Sequence, residues 1–123
     1  MLKTTLAALF MVAAAPSALA LTQAEIRECN AMAAAFKQQR QEVEMAKAAR
    51  DAAAMVAEQA GAAWEEAETH RLVSAGHAET ADEAEAAFET AKTAHARAEA
   101  RLADLAGAYQ ANAAVYNAKC VRE

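Results

Sequence analysis

Ser74-Ala75-Gly76-His77-Ala78-Glu79-Thr80-Ala81-Asp82-Glu83 is the stretch on which the fold turns. Gly76 suits the left-handed position that ends a helix, and Thr80 to Glu83 has the Thr-x-x-Glu pattern of a capping box that starts one. Upstream, Thr22 to Glu25 repeats that box, with Leu21 placed to staple Ile26. Between Thr22 and Ser74, and again from Asp82 to about Cys120, no strong breaker interrupts the chain. The expected elements are a helix over about 23–74, a turn over about 75–79 and a helix over about 80–120. A loop this short makes the two arms antiparallel. Gly61 is the weak point of the first arm, because an interior glycine costs about 1 kcal/mol relative to alanine.

Composition supports helices and excludes sheets. After residue 20 the chain has 103 residues, of which 34 are alanine, three are glycine and none is proline. Strands want β-branched and aromatic residues and turns want Gly and Pro, so a β or α/β domain does not fit. The fold class is all-α: an antiparallel two-helix hairpin of the Ala-rich coiled-coil type. Small apolar residues recur at three-four spacing, as a coiled-coil seam requires. In the first arm they run from Ile26, Cys29, Met32 and Phe36 through Val43, Ala46, Ala53, Val56, Ala60 and Ala63 to Ala67. In the second they run from Ala81 through Phe88, Leu102, Leu105 and Tyr109 to Tyr116 and Cys120, with His95 and Asn112 as polar interruptions. Met45, Met55 and Trp64 do not all fit that seam. Since a two-helix hairpin buries little alone, two copies packing as a four-helix bundle is the expected way to use a second face.

The two cysteines fix the register. Cys29 and Cys120 lie at opposite ends of the segment 21–123, and in an oxidising compartment such a pair should form one bridge. Level pairing across an antiparallel seam then requires residue numbers that add to about 149, which places the pivot about three residues before the one suggested by the caps. The same register sets Lys92 near Glu58, Arg97 and Arg101 near Asp51, and Arg50 near Asp104.

Residues 1–20 read as a cleaved export signal, with a positive start at Lys3, an apolar run from Thr4 to Ala15, and Ala18-Leu19-Ala20 as the cleavage site. The expected location is the periplasm, or secretion, of a bacterial cell. No integral membrane segment is expected after cleavage. The segment 21–123 carries a net charge of −6, which argues against nucleic acid as a partner. Residues 58–89 alone have a net charge of −8, while 21–57 and 90–123 come to zero and +2.

Two groups of residues are candidate sites. His70 and His77 with Glu66 and Glu79 make a conceivable His/carboxylate metal site at the acidic tip, although a solvated surface accounts for them more simply. At the disulfide end, Asn30, Phe36, Arg40, Tyr109, Asn112, Tyr116 and Asn117 gather as a docking patch or as packing. No catalytic constellation is present in the sequence: it has no nucleophile elbow, no glycine-rich phosphate loop and no HExxH. The chain is therefore expected to be non-enzymatic and without a cofactor. In composition it resembles small exported bacterial helical-hairpin proteins, among them periplasmic chaperones with helical arms. The leading functional expectation is an interaction or scaffold module whose partner is another envelope protein or itself. Divalent-cation binding by the tip and holdase-type chaperoning are the alternatives.

Overall fold

Thr22 starts the first helix as its sequence requires. In the computed structural model, which describes residues 20–121, the Glu25 amide donates to Thr22 Oγ1 at 3.2 Å and the Thr22 amide donates to Glu25 Oε2 at 2.6 Å. Two of the amides left without partners at a helix start are thereby satisfied. Helix α1 then runs unbroken over Gln23–Thr69 and helix α2 over Ala75–Cys120. They pack against each other as an antiparallel hairpin, with no strand among the described residues. The expected export signal lies almost wholly in residues 1–19, outside the described residues.

The reversal falls at His70–Ser74, about five residues earlier than the caps suggest. Ser74 is the N-cap of α2, its Oγ accepting from the His77 amide at 3.3 Å. Thr80 is already helical, and its hydroxyl donates back to the Gly76 carbonyl at 3.0 Å. Gly76 therefore sits inside the first turn of α2, and no glycine among the described residues has a positive φ. Helix α1 ends instead by tightening: the His70 and Arg71 amides donate to Ala67 O and Glu68 O at 3.1 and 3.2 Å. The Thr-x-x-Glu pattern outweighed a lone serine in the sequence, but a serine hydroxyl caps without an acid three residues on. Ser74→Ala should therefore cost about 1 kcal/mol, typical of a lost cap, and Thr80→Ala close to nothing. Chemical denaturation of the two variants checks the assignment.

The register is the one the cysteines dictate. Cys29 and Cys120 are joined, with their Cα atoms 5.8 Å apart. Far along the seam, Gly61 meets Phe88 at the same residue sum of 149. A Cβ at Gly61 would lie 3.0 Å from Phe88 Cε2, so this glycine makes room for a ring, and the helix passes through it without a break.

Covered positions on α1 step by three and four from Cys29 through Met32, Phe36, Gln39, Val43, Ala46, Arg50, Ala53, Ala57, Ala60 and Trp64 to Ala67. This corrects three assignments. Ile26, Val56 and Ala63 are exposed, and Ala57 and Trp64 hold the places of the last two. Trp64 stacks on Phe88 with ring centroids 5.6 Å apart. On α2, His95 belongs to the seam, whereas Asn112 is exposed and Ala113 is covered in its place.

The expected cross-seam charge pairs do not form. Lys92 turns to Glu89 on its own helix at 3.0 Å and lies 5.1 Å above the Phe88 ring, and Arg50 pairs with its neighbour Asp51 at 2.7 Å. Partners on the same helix are reached with less loss of side-chain freedom. Among the described residues the ion pairs that bridge the helices lie at the two ends, Arg71–Asp82 at 2.7 Å and Lys119–Glu28 at 2.6 Å. Among the described residues the buried ones are all alanines, Ala46, Ala81 and Ala91. At about 0.8 kcal/mol per buried methyl, this seam is thin.

Candidate functional site

At the hairpin tip, five residues from His70 to Ser74 must reverse a chain whose helices end level, and the two largest apolar ones have no seam to enter. Leu72 is 97 % exposed and Val73 is 67 % exposed. The turn beneath them is held firmly. The Val73 amide donates to the His70 carbonyl at 2.9 Å. Arg71 donates from Nε to Glu68 at 2.8 Å and from Nη1 to Asp82 at 2.7 Å, tying the end of α1 to the start of α2. Hydrogen bonds to Asp82 and then Glu68 hold the Arg71 proton above the ordinary arginine value. The apex thus carries an exposed Leu-Val pair on a clamped turn, within the segment of net charge −8.

The histidines of the tip do come together, His70 and His77 lying edge to face with ring centroids 6.2 Å apart. Glu66 and Glu79 do not complete a site with them. Among the described residues no three of His, Cys, Asp and Glu converge as a metal ion needs. His77 Nδ1 is taken up by Ser74 Oγ at 2.7 Å, so the capping interaction already uses one ring nitrogen.

The disulfide-end patch divides in two. Phe36 lies edge-on to Tyr109 and Tyr116, with centroids 5.6 and 5.3 Å apart, and all three rings are half-buried in the seam. Asn30, Arg40, Asn112 and Asn117 remain exposed. The aromatic members are therefore packing, and only polar side chains face outward. No helix among the described residues is long and apolar enough to cross a membrane.

No family model, curated protein or solved structure matches this chain. The geometry itself has to carry the functional reading. Leu72 and Val73 were missed at the sequence level because the turn was placed over 75–79, which assigned both residues to the end of a helix. The available signal was Ser74 as an N-cap, which moves the preceding residues into the loop.

Proposed function

We propose that the protein is an exported, non-enzymatic interaction module: a rod that presents its apex to another envelope protein. The observation that carries this reading is the exposure of Leu72 and Val73 on a turn locked by Arg71. Large apolar side chains on a turn already hydrogen-bonded in place need less ordering on binding than the same side chains on an unsupported loop. Export is supported by the charged-apolar-small pattern of residues 1–20, by the capping box that follows it directly, and by the cysteine pair, which suits a periplasmic or extracellular setting. The same reading includes self-association of two hairpins as a four-helix bundle, so that the chain is both its own partner and the support for a second one.

The test is a photoreactive residue introduced at position 72 in cells, compared with one at Glu89 on the side of the rod. Adducts in the envelope fraction specific to position 72, and lost on Val73→Asp, are expected. Equal labelling from both positions, or none from 72, contradicts the reading. Leu72→Asp should shift the melting temperature of the purified protein by no more than a few degrees, since surface substitutions usually stay within about 0.5 kcal/mol. That separates a lost contact from a lost fold.

A further inference from the structure

We infer that a second copy of this chain covers the less charged broad face of the hairpin, the two molecules packed end for end. This names one partner within the interaction reading above and rests on it.

The hairpin is a ribbon two helices wide, and its two broad faces differ chemically. One groove beside the seam is lined by Glu58, Gly61 and Glu65 together with Phe88 and His95. The other is lined by Glu42, Met45 and Ala49 together with Arg97 and Arg101. Stepping along α1 by threes and fours from the first groove meets Glu44, Lys47, Asp51, Glu58, Glu65 and Glu68, and α2 continues that face with Glu85, Glu89, Lys92 and Glu99. Stepping from the second groove meets Met45, Ala49, Ala52, Val56, Gln59 and Ala63, without a charge between the first and the last. Met45 is 72 % exposed, Val56 56 %, and Met55 beside them 60 %. On α2 this face carries Ala87, Ala94, Ala108 and Val115, with Arg97, Arg101 and Asp104 grouped near its middle. Charge is normally richest at the positions farthest from a coiled-coil seam. Here those positions hold Ala48, Met55 and Ala62 on α1 and Ala86, Ala100 and Gly107 on α2.

Two further observations choose the occupant. The first is area. From Ala31 to Ala63 the face is about 50 Å long, and two helices make it about 20 Å wide, which gives about 1,000 Å² per copy. A stable association needs about 800 Å² per partner, and the hairpin's own core of three buried alanines leaves apolar cover to be supplied. A face of small side chains matches its own copy, as a two-fold interface requires, and allows close helix approach. The second is charge. Residues 58–89 have a net charge of −8, against zero for 21–57 and +2 for 90–123. Packing end for end lays each acidic half over the neutral or basic half of the other copy, while packing with the tips together would stack two acidic ends.

Sedimentation equilibrium of the disulfide-bonded protein should give the mass of a dimer at micromolar concentration. Ala52→Glu, and independently Ala94→Glu on the other helix, should weaken association at least tenfold while the circular-dichroism helix signal is kept. Lys47→Glu, on the charged face, should leave it unchanged. A photoreactive residue at Met45 should crosslink to α1 of the other copy near Ala49, since end-for-end pairing over 31–63 sets residue numbers that add to about 94 opposite each other. Crosslinks from that position to residues 97–104 of the other copy would overturn the end-for-end arrangement. A monomer mass throughout, or equal sensitivity of both faces, would overturn the inference altogether, and adducts specific to position 72 would still stand as evidence for the apex reading.

Discussion

Reducing the Cys29–Cys120 bridge is expected to lower the melting temperature by about 20 °C or more. The bridge closes a loop with a sequence separation of 91 residues. In the chain-entropy treatment, a loop of that length removes about 4–5 kcal/mol of freedom from the unfolded chain. Each kcal/mol shifts the midpoint of a domain this size by about 4–8 °C. The effect is large here because there is little to set against it: the buried side chains are alanines, and most large residues are only half covered. Thermal melts with and without reductant, and of Cys120→Ser, should agree with each other. An unchanged midpoint in reductant would show that the seam holds the arms together unaided. The melts belong at one fixed protein concentration, since association of copies makes the midpoint depend on it.

Phe36→Ala should have the next largest effect, about 2–4 kcal/mol. Full truncation of a buried phenylalanine costs about 3–5 kcal/mol, and Phe36 is half-buried, which lowers that range. Its ring also makes edge contacts with both Tyr109 and Tyr116, each worth about 0.5–1.5 kcal/mol beyond area. Phe36→Leu should recover part of the loss, because it keeps the volume but not the edge geometry. Denaturant midpoints for the two variants settle the size. A shift in Phe36→Ala no larger than in an exposed control such as Ala34→Ser would mean that the aromatic cluster is not holding the closed end.

The hairpin was legible because three independent signals in the sequence agree: the capping box at Thr22, the run of three-four spacing, and two cysteines placed to meet at the ends. What was lost was the phase of the seam in the middle of α1. Gln39 and Arg50 occupy seam positions, and a reading that looks for apolar residues steps over both. Once Arg50 is skipped, Val56 and Ala63 look as good as Ala57 and Trp64, since alanine is everywhere. The structure breaks the tie with Phe88, whose ring needs both the space at Gly61 and the face of Trp64. The seam is not fully reconciled with its polar atoms: Gln39 Oε1 and Trp64 Nε1 are buried without a hydrogen-bond partner. That cost is the reason neither residue would be chosen for such a position from pattern alone.

The candidate site was less legible than the fold. The metal reading grouped residues by proximity in sequence; the two histidines do come together, but among the described residues no set of three metal-ligating side chains converges there. The apex was hidden by an error of about five residues in the turn. On a straight rod such an error is harmless to the fold, but it decides which side chains stand at the end.

The disulfide joins α1 about two turns from its start to the last residue of α2, so both ends of the described chain lie near one extremity. The apex lies at the opposite extremity, about 70 Å away for helices of 47 and 46 residues. A surface or domain attached at either end would therefore meet Leu72 and Val73 only across that standoff. Reach is set by helix length, and inserting or deleting whole heptads in matched positions of both arms would change it in steps of about 10 Å without altering which residues face the partner.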